Sequence, residues 1–190
     1  MGLIYQKCQE CIVYLGDSLD GSASSLAEPP SVWNFDYKAF PPVDEQNLSR
    51  QPGVYEVFSF FRELSSHYHL DDQSLFKAGR HAPETGLKRD QYQLRPRLFE
   101  ALRKFTHAPF TPWWTRIWVI QEVTAPPSVR ITYGTISASW DMFAEAARLY
   151  TPHSAGCCKS VVKILPPDQE KVLTDSCKKI KSIEDLRTTQ

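Results

Sequence analysis

The sequence predicts an α/β fold. Two short apolar runs of strand type, Cys11 to Leu15 and Val129 to Tyr133, are interspersed with segments whose apolar residues recur at spacings of three and four. The first run is unbroken and closed by Gly16, which predicts a strand buried on both faces, as in a parallel sheet. Two strands cannot close a core by themselves. The remaining strands are therefore expected from sequence missing here or from a partner.

The elements follow in order. Residues 1–9 read as the last turns of a helix, with Leu3, Ile4 and Cys8 on one side. Asp17 to Leu26 reads as a polar helix or loop. Residues 27–52 carry Pro29-Pro30, Pro41-Pro42, serines and acids, and read as a surface insertion held to the body by Trp33, Phe35, Tyr37 and Phe40. Val54, Val57, Phe58, Phe61 and Leu64 predict an amphipathic helix over 53–66. Residues 67–90 show little periodicity. Leu98, Ala101, Leu102 and Phe105 predict a helix from Pro96 to Phe105. A buried helix over 112–124 follows, stopped by Pro126-Pro127. After the second strand, Trp140 to Leu149 reads as a helix with Ser139 placed to cap it. Beyond residue 151 the chain is lysine-rich, with Asp168 to Leu173 and Lys178 to Leu186 as short helical stretches. Residues 1–150 read as one partial domain and 151–190 as its C-terminal extension.

Bulk composition narrows the function. The 190 residues fit one domain, and fourteen prolines point to long irregular connections. Twenty-two basic residues balance twenty-two acidic ones. No basic stripe points to nucleic acid. No apolar run reaches the eighteen or so residues of a membrane span, and Glu10 interrupts the only run resembling a signal peptide. A cytoplasmic protein is expected.

The densest signal is Pro112-Trp113-Trp114-Thr115-Arg116-Ile117-Trp118-Val119-Ile120-Gln121-Glu122-Val123. Thr111 and Pro112 suit a helix start, and apolar residues nearly encircle the helix that follows. Glu122 stands one turn after Trp118, so the two share a helix face. A tryptophan wall beside a carboxylate disfavours its charged form. A lone buried acid must be solvated, paired, protonated or functional. Arg116 and Glu122 fall about 120° apart on a continuous helix, which keeps them from pairing with each other. A structural role, each paired elsewhere, stands beside the functional one.

This segment resembles the signature of the fungal heterokaryon-incompatibility (HET) domain, a Pro-Trp-aromatic-x-Arg-x-Trp-x-x-Gln-Glu run. Two flanking pieces agree in order: residues 1–16, ending in Tyr14-Leu15-Gly16, and Val129 to Gly134 followed by Ile136 and Trp140. Ile183 to Thr189 agrees more faintly. Cys8 stands where the family has Ala, and Tyr14 where Trp is common. The family's preceding Trp-Ile-Asp-like segment and following Asp-Pro-Arg-Asp-like stretch have no counterpart, so the chain reads as an internal fragment. The resemblance implies a doubly wound parallel sheet, TIR-like or flavodoxin-like, incomplete at the N-terminus. It implies an intracellular effector of non-self recognition and cell death.

By analogy with enzymatic TIR domains, Glu122 would be the catalytic acid of NAD cleavage, stabilising an oxocarbenium-like ribose. Trp118 and Trp114 would stack on the substrate, with Arg116 and Gln121 as further substrate contacts. NAD would be a substrate, and no cofactor or metal is expected. The alternatives are a non-enzymatic module signalling through protein partners or self-association, and an inactive truncated product.

Other features carry less. Cys8-x-x-Cys11 with Cys157-Cys158 has the ligand count of a zinc site, but Cys8 and Cys11 read as small core residues. His67-x-His69, with Asp71 and Asp72, reads as an exposed loop. Lys178, Lys179 and Lys181 read as a solvated helix face.

Overall fold

The structure, a computed structural model, describes residues 7–16, 33–34, 53–73, 96–106, 111–116, 118–134 and 136–189. Expectations for residues 1–6, 17–32, 35–52 and 74–90 lie outside the described residues.

The architecture is mixed α/β. A small sheet contains β1 (Cys11–Tyr14), β2 (Trp33–Asn34), β3 (Val129–Tyr133) and β4 (Ile136–Ser139) in the order β1-β3-β4-β2. β1 lies parallel to β3, with Val13 opposite Ile131, and β2 lies parallel to β4. β3 and β4 form an antiparallel hairpin in which Tyr133 faces Ile136. The sheet is thus mixed rather than wholly parallel. β4 and β2 are strands that the sequence reading did not contain. β4 is short and its serines conceal it, while β2 is two residues of the proline-rich insertion. Gly134 makes the hairpin possible by taking φ 56, the left-handed region where a side chain is costly.

β1 is buried on one face only. Val13 is buried, whereas Ile12 is 61% and Tyr14 54% exposed. This corrects the expectation of a strand buried on both faces. A continuous apolar run does not separate a central strand from an edge strand, and β1 is an edge of the described sheet. The covered face joins Val13 to Val129, Ile131 and Tyr133.

The helices supply most of the core. They are α1 (Val54–Ser65), α2 (Pro96–Thr106), α3 (Val119–Thr124), α4 (Trp140–Ala155), α5 (Lys159–Ile164) and α6 (Pro167–Thr188). α1 and α2 meet the predicted segments closely, because each carries a strong apolar stripe; α4 starts where predicted but runs on past Leu149 to Ala155, with Pro152 inside it. Phe143 of α4 stands 5.2 Å from Phe58 and 5.1 Å from Phe61 of α1, and stacks on Phe105 of α2 at 5.8 Å. Each such ring contributes about 1.5–3 kcal/mol by leaving water. Ser139 caps α4 as expected, accepting the Met142 N–H.

α6 is one helix of 22 residues, not two short ones. Its buried line is Val172, Leu173, Ser176, Cys177, Ile180 and Ile183, and the small polar Ser176 interrupts the apolar pattern read from sequence. Ser176 is buried because its hydroxyl bonds Thr106 of α2 at 3.0 Å and the Val172 carbonyl. Lys179 does not belong to a solvated face: its Nζ donates to the Thr106 carbonyl at 2.6 Å. α6 packs against α2, α3 and α4 and closes the core, which runs continuously from Val13 to Ile183. Among the described residues, no helix is long and apolar enough to cross a membrane.

Candidate functional site

The signature segment is not one helix. Pro112–Thr115 forms a single 3-10 turn, Arg116 is extended (φ −77, ψ 137), and α3 begins only at Val119. Local bonds favour the break. Thr115 turns its hydroxyl back onto the Pro112 carbonyl at 2.8 Å, competing with helix continuation. Thr111 makes no helix cap; its hydroxyl donates instead to the Lys104 carbonyl at 2.8 Å, pinning the segment to the end of α2.

The break decides what surrounds Glu122. The Trp113 indole N–H donates to Glu122 Oε2 at 2.5 Å, and Arg116 Nη2 lies 3.7 Å from Oε1. This corrects the expectation that Arg116 and Glu122 stay apart. The angular argument holds only on a continuous helix, and the extended Arg116 folds the guanidinium back over α3. Both carboxylate oxygens therefore have partners. The Glu122 side chain is 13% exposed and that of Arg116 is 55% exposed. The ion pair is solvent-screened and weak, while the indole bond is the stronger, charge-assisted contact.

The other predicted residues take different positions. Trp114 is buried beneath Trp113, ring centroids 4.8 Å apart, and its indole N–H donates to the Phe105 carbonyl at 2.5 Å. It is a core pin with its polar atom satisfied. Trp118 precedes α3 and is 41% exposed; the indole bonded to Glu122 is that of Trp113 and not that of Trp118. Gln121 is half-buried, with its side-chain oxygen lacking a hydrogen-bond partner among the described residues. Ile120, expected inside, is exposed.

The location within the sheet matters as well. Glu122 is close enough to Cys11, the first residue of β1, to help raise its thiol pKa to about 11, a shift due first to burial. α3 thus lies by the amino end of the parallel β1–β3 pair. Ligands of open α/β sheets bind beyond the carboxyl ends of the strands.

A second polar cluster lies elsewhere, built from residues far apart in sequence. His69 follows α1, His153 sits in the last turn of α4, and Cys157 and Cys158 form the turn into α5. Their ligand atoms all lie within 4.8 Å of one another. Cys158 Sγ is 3.4 Å from His153 Nδ1, 3.7 Å from His69 Nδ1 and 3.8 Å from Cys157 Sγ; Cys157 Sγ is 3.5 Å from His153 Nδ1. The sulfurs are unbonded thiols. Burial lowers the His153 pKa and raises that of Cys158 to about 11.

The local fold fixes this geometry. Gly156 ends α4 with its N–H on the Pro152 carbonyl at 2.9 Å, and Cys158 N–H reaches the His153 carbonyl at 2.8 Å. A Cβ on Gly156 would sit 2.9 Å from the Pro152 oxygen, so the turn requires glycine. The sequence reading set Cys157-Cys158 beside Cys8 and Cys11, passed over His69 as loop and did not weigh His153. The available signal was His153-x-x-x-Cys157, a one-turn spacing at a helix end.

A third feature is an open cleft of about 800 Å³ between α4 and α6. Lys181 and Asp185, and Glu145 and Arg148, line it as mutually satisfied pairs. Glu122 does not line it.

Compared with protein-family models, curated proteins and solved structures, the chain matches none of them.

Proposed function

We propose that this chain is a HET-like effector domain of fungal non-self recognition, acting inside the cell through self-association, with cell death as the output. The family reading rests on the ordered motif residues from Tyr14 to Trp140. The mode of action rests on one observation: the outward apolar face of the edge strand. Ile12 and Tyr14 stand exposed on β1, and Trp118, just before α3, and Ile120 on it stand exposed too; α3 packs against β1. An edge strand with exposed large apolar side chains is a template for a second chain. The TIR-like, doubly wound architecture belongs to the same proposal, with the second copy extending the sheet.

In this reading the signature is a clasp. Trp113 and Arg116 hold Glu122, and the clasp sets the start of α3 and hence the position of Trp118 and Ile120. Sedimentation over a range of concentrations tests it. The wild-type chain is expected to self-associate and Ile12→Lys to remain monomeric; a wild-type chain that stays monomeric at every concentration refutes it.

NAD cleavage by Glu122 is the second reading, favoured by a carboxylate that is partly open to solvent beside indole rings and a guanidinium. NAD consumption by wild type and Glu122→Gln separates the two. Hydrolysis lost in the variant supports the catalytic acid. Hydrolysis absent from wild type, or equal in both, removes it.

A further inference from the structure

We propose that His69, His153, Cys157 and Cys158 bind one Zn²⁺ as a closed structural site, which clamps the loop after α1 to the turn between α4 and α5.

The argument begins with the donors. Two imidazoles and two thiols form a Cys₂His₂ set, the chemistry that suits a borderline-soft divalent ion. The distances agree with that ion. Zn–S bonds of about 2.3 Å and Zn–N bonds of about 2.0–2.1 Å on a tetrahedron put the sulfurs about 3.8 Å apart and each sulfur about 3.5 Å from each nitrogen. The observed S···S separation is 3.8 Å, and the three S···N separations are 3.4, 3.5 and 3.7 Å. A disulfide would need the sulfurs at about 2.05 Å.

The supporting contacts fit a thiolate. The Leu70 N–H points at Cys158 Sγ from 3.3 Å, a donor that stabilises negative charge on sulfur and fixes its direction. The Gly156 turn and the Cys158 N–H to His153 carbonyl bond preset the angle between the two cysteines and the histidine. Three ligands come from within six residues, and His69 arrives from the loop after α1. Four protein ligands fill a tetrahedral shell and leave no position for a substrate, so the ion is structural rather than catalytic. Binding displaces the two thiol protons to solvent, and no redox partner is needed. His69 and Cys157 are exposed, so the ion can enter from solvent.

The test uses the full chain, purified from zinc-supplemented medium, with metal content by plasma mass spectrometry and Co²⁺ titration as a spectroscopic probe. About one zinc per chain is expected. Co²⁺ should give the intense visible bands of a tetrahedral site together with a sulfur-to-metal charge-transfer band. Cys157→Ser/Cys158→Ser should abolish the charge-transfer band, and His153→Ala should weaken metal affinity at least tenfold. Cys8→Ser/Cys11→Ser and His67→Asn should retain full binding. The Co²⁺ spectrum of the wild-type chain decides the matter even if a ligand variant fails to fold. A wild-type chain that takes up neither Zn²⁺ nor Co²⁺, or a metal that departs with Cys8 and Cys11, overturns the site.

Discussion

Glu122 and Cys158 are each a well-buried member of a polar cluster that also has exposed members, but their partners differ in kind. Around Glu122 the partners are proton donors of opposite character, an indole N–H and a guanidinium, and both carboxylate oxygens are engaged. Around Cys158 the Leu70 N–H is joined by three further lone-pair donors, His69, His153 and Cys157, whose ligand atoms lie within 4.8 Å of one another. The first arrangement is complete as it stands. The second gathers groups that gain little from one another and much from a cation. The contiguous, tryptophan-rich segment thus satisfies its own polar groups, and the scattered residues gather four potential ligand atoms in one place.

The contrast can be broken or sharpened experimentally. The largest effect is expected from Trp113→Ala, which removes a buried indole and the main partner of Glu122, and should cost roughly 3–5 kcal/mol in denaturant unfolding. Trp113→Phe keeps most of the ring and isolates the hydrogen bond; a loss of about 1–3 kcal/mol is expected. A neutral Trp113→Phe would mean that the clasp contributes nothing. Gly156→Ala forces a Cβ against the Pro152 carbonyl. It should destabilise the chain by roughly 1–3 kcal/mol and weaken Co²⁺ binding, whereas the Trp113 variants should leave Co²⁺ binding unchanged. Loss of metal in the Trp113 variants would show that the two regions are coupled.

Alkaline pH should act through the helical core. Burial raises the Tyr150 pKa to about 12, above the value of 10.0 for the free side chain. A raised acid gives stability that is complete below pH 10 and lost as pH climbs towards 12. The unfolding midpoint should fall across that window, less steeply in Tyr150→Phe. The smallest effect belongs to Arg116→Ala, below about 1 kcal/mol, because more than half of its side chain is in water. A loss several times larger would mark Arg116 as an equal member of the clasp.

The elements with strong stripes were legible from the amino-acid order. α1, α2, the start of α4 and β3 all follow from apolar spacing, and the Ser139 cap from its hydroxyl before Trp140. α6 was read in pieces because Ser176 breaks the stripe, and its burial rests on a Thr106 hydroxyl 70 residues away. The segment from Pro112 to Val123 was read as one helix and is instead a 3-10 turn, an extended Arg116 and a short α3. Its apolar content masked a break set by Thr115, Arg116 and the two indole N–H bonds. Of the cluster of His69, His153, Cys157 and Cys158, only the cysteine pair was noticed, and it was weighed alongside Cys8 and Cys11.

By itself the sequence determined the α/β class, α1, α2, the start of α4, and the strands β1 and β3. These properties are local, since periodicity and capping are written within one or two turns of chain. Only the tertiary structure decided that Arg116 returns to Glu122, that β1 is exposed on one face, and that His69 meets a histidine and two cysteines more than 80 residues onward. Such meetings depend on how α1 packs on α4, a sum of many weak apolar contacts that no short window of sequence contains.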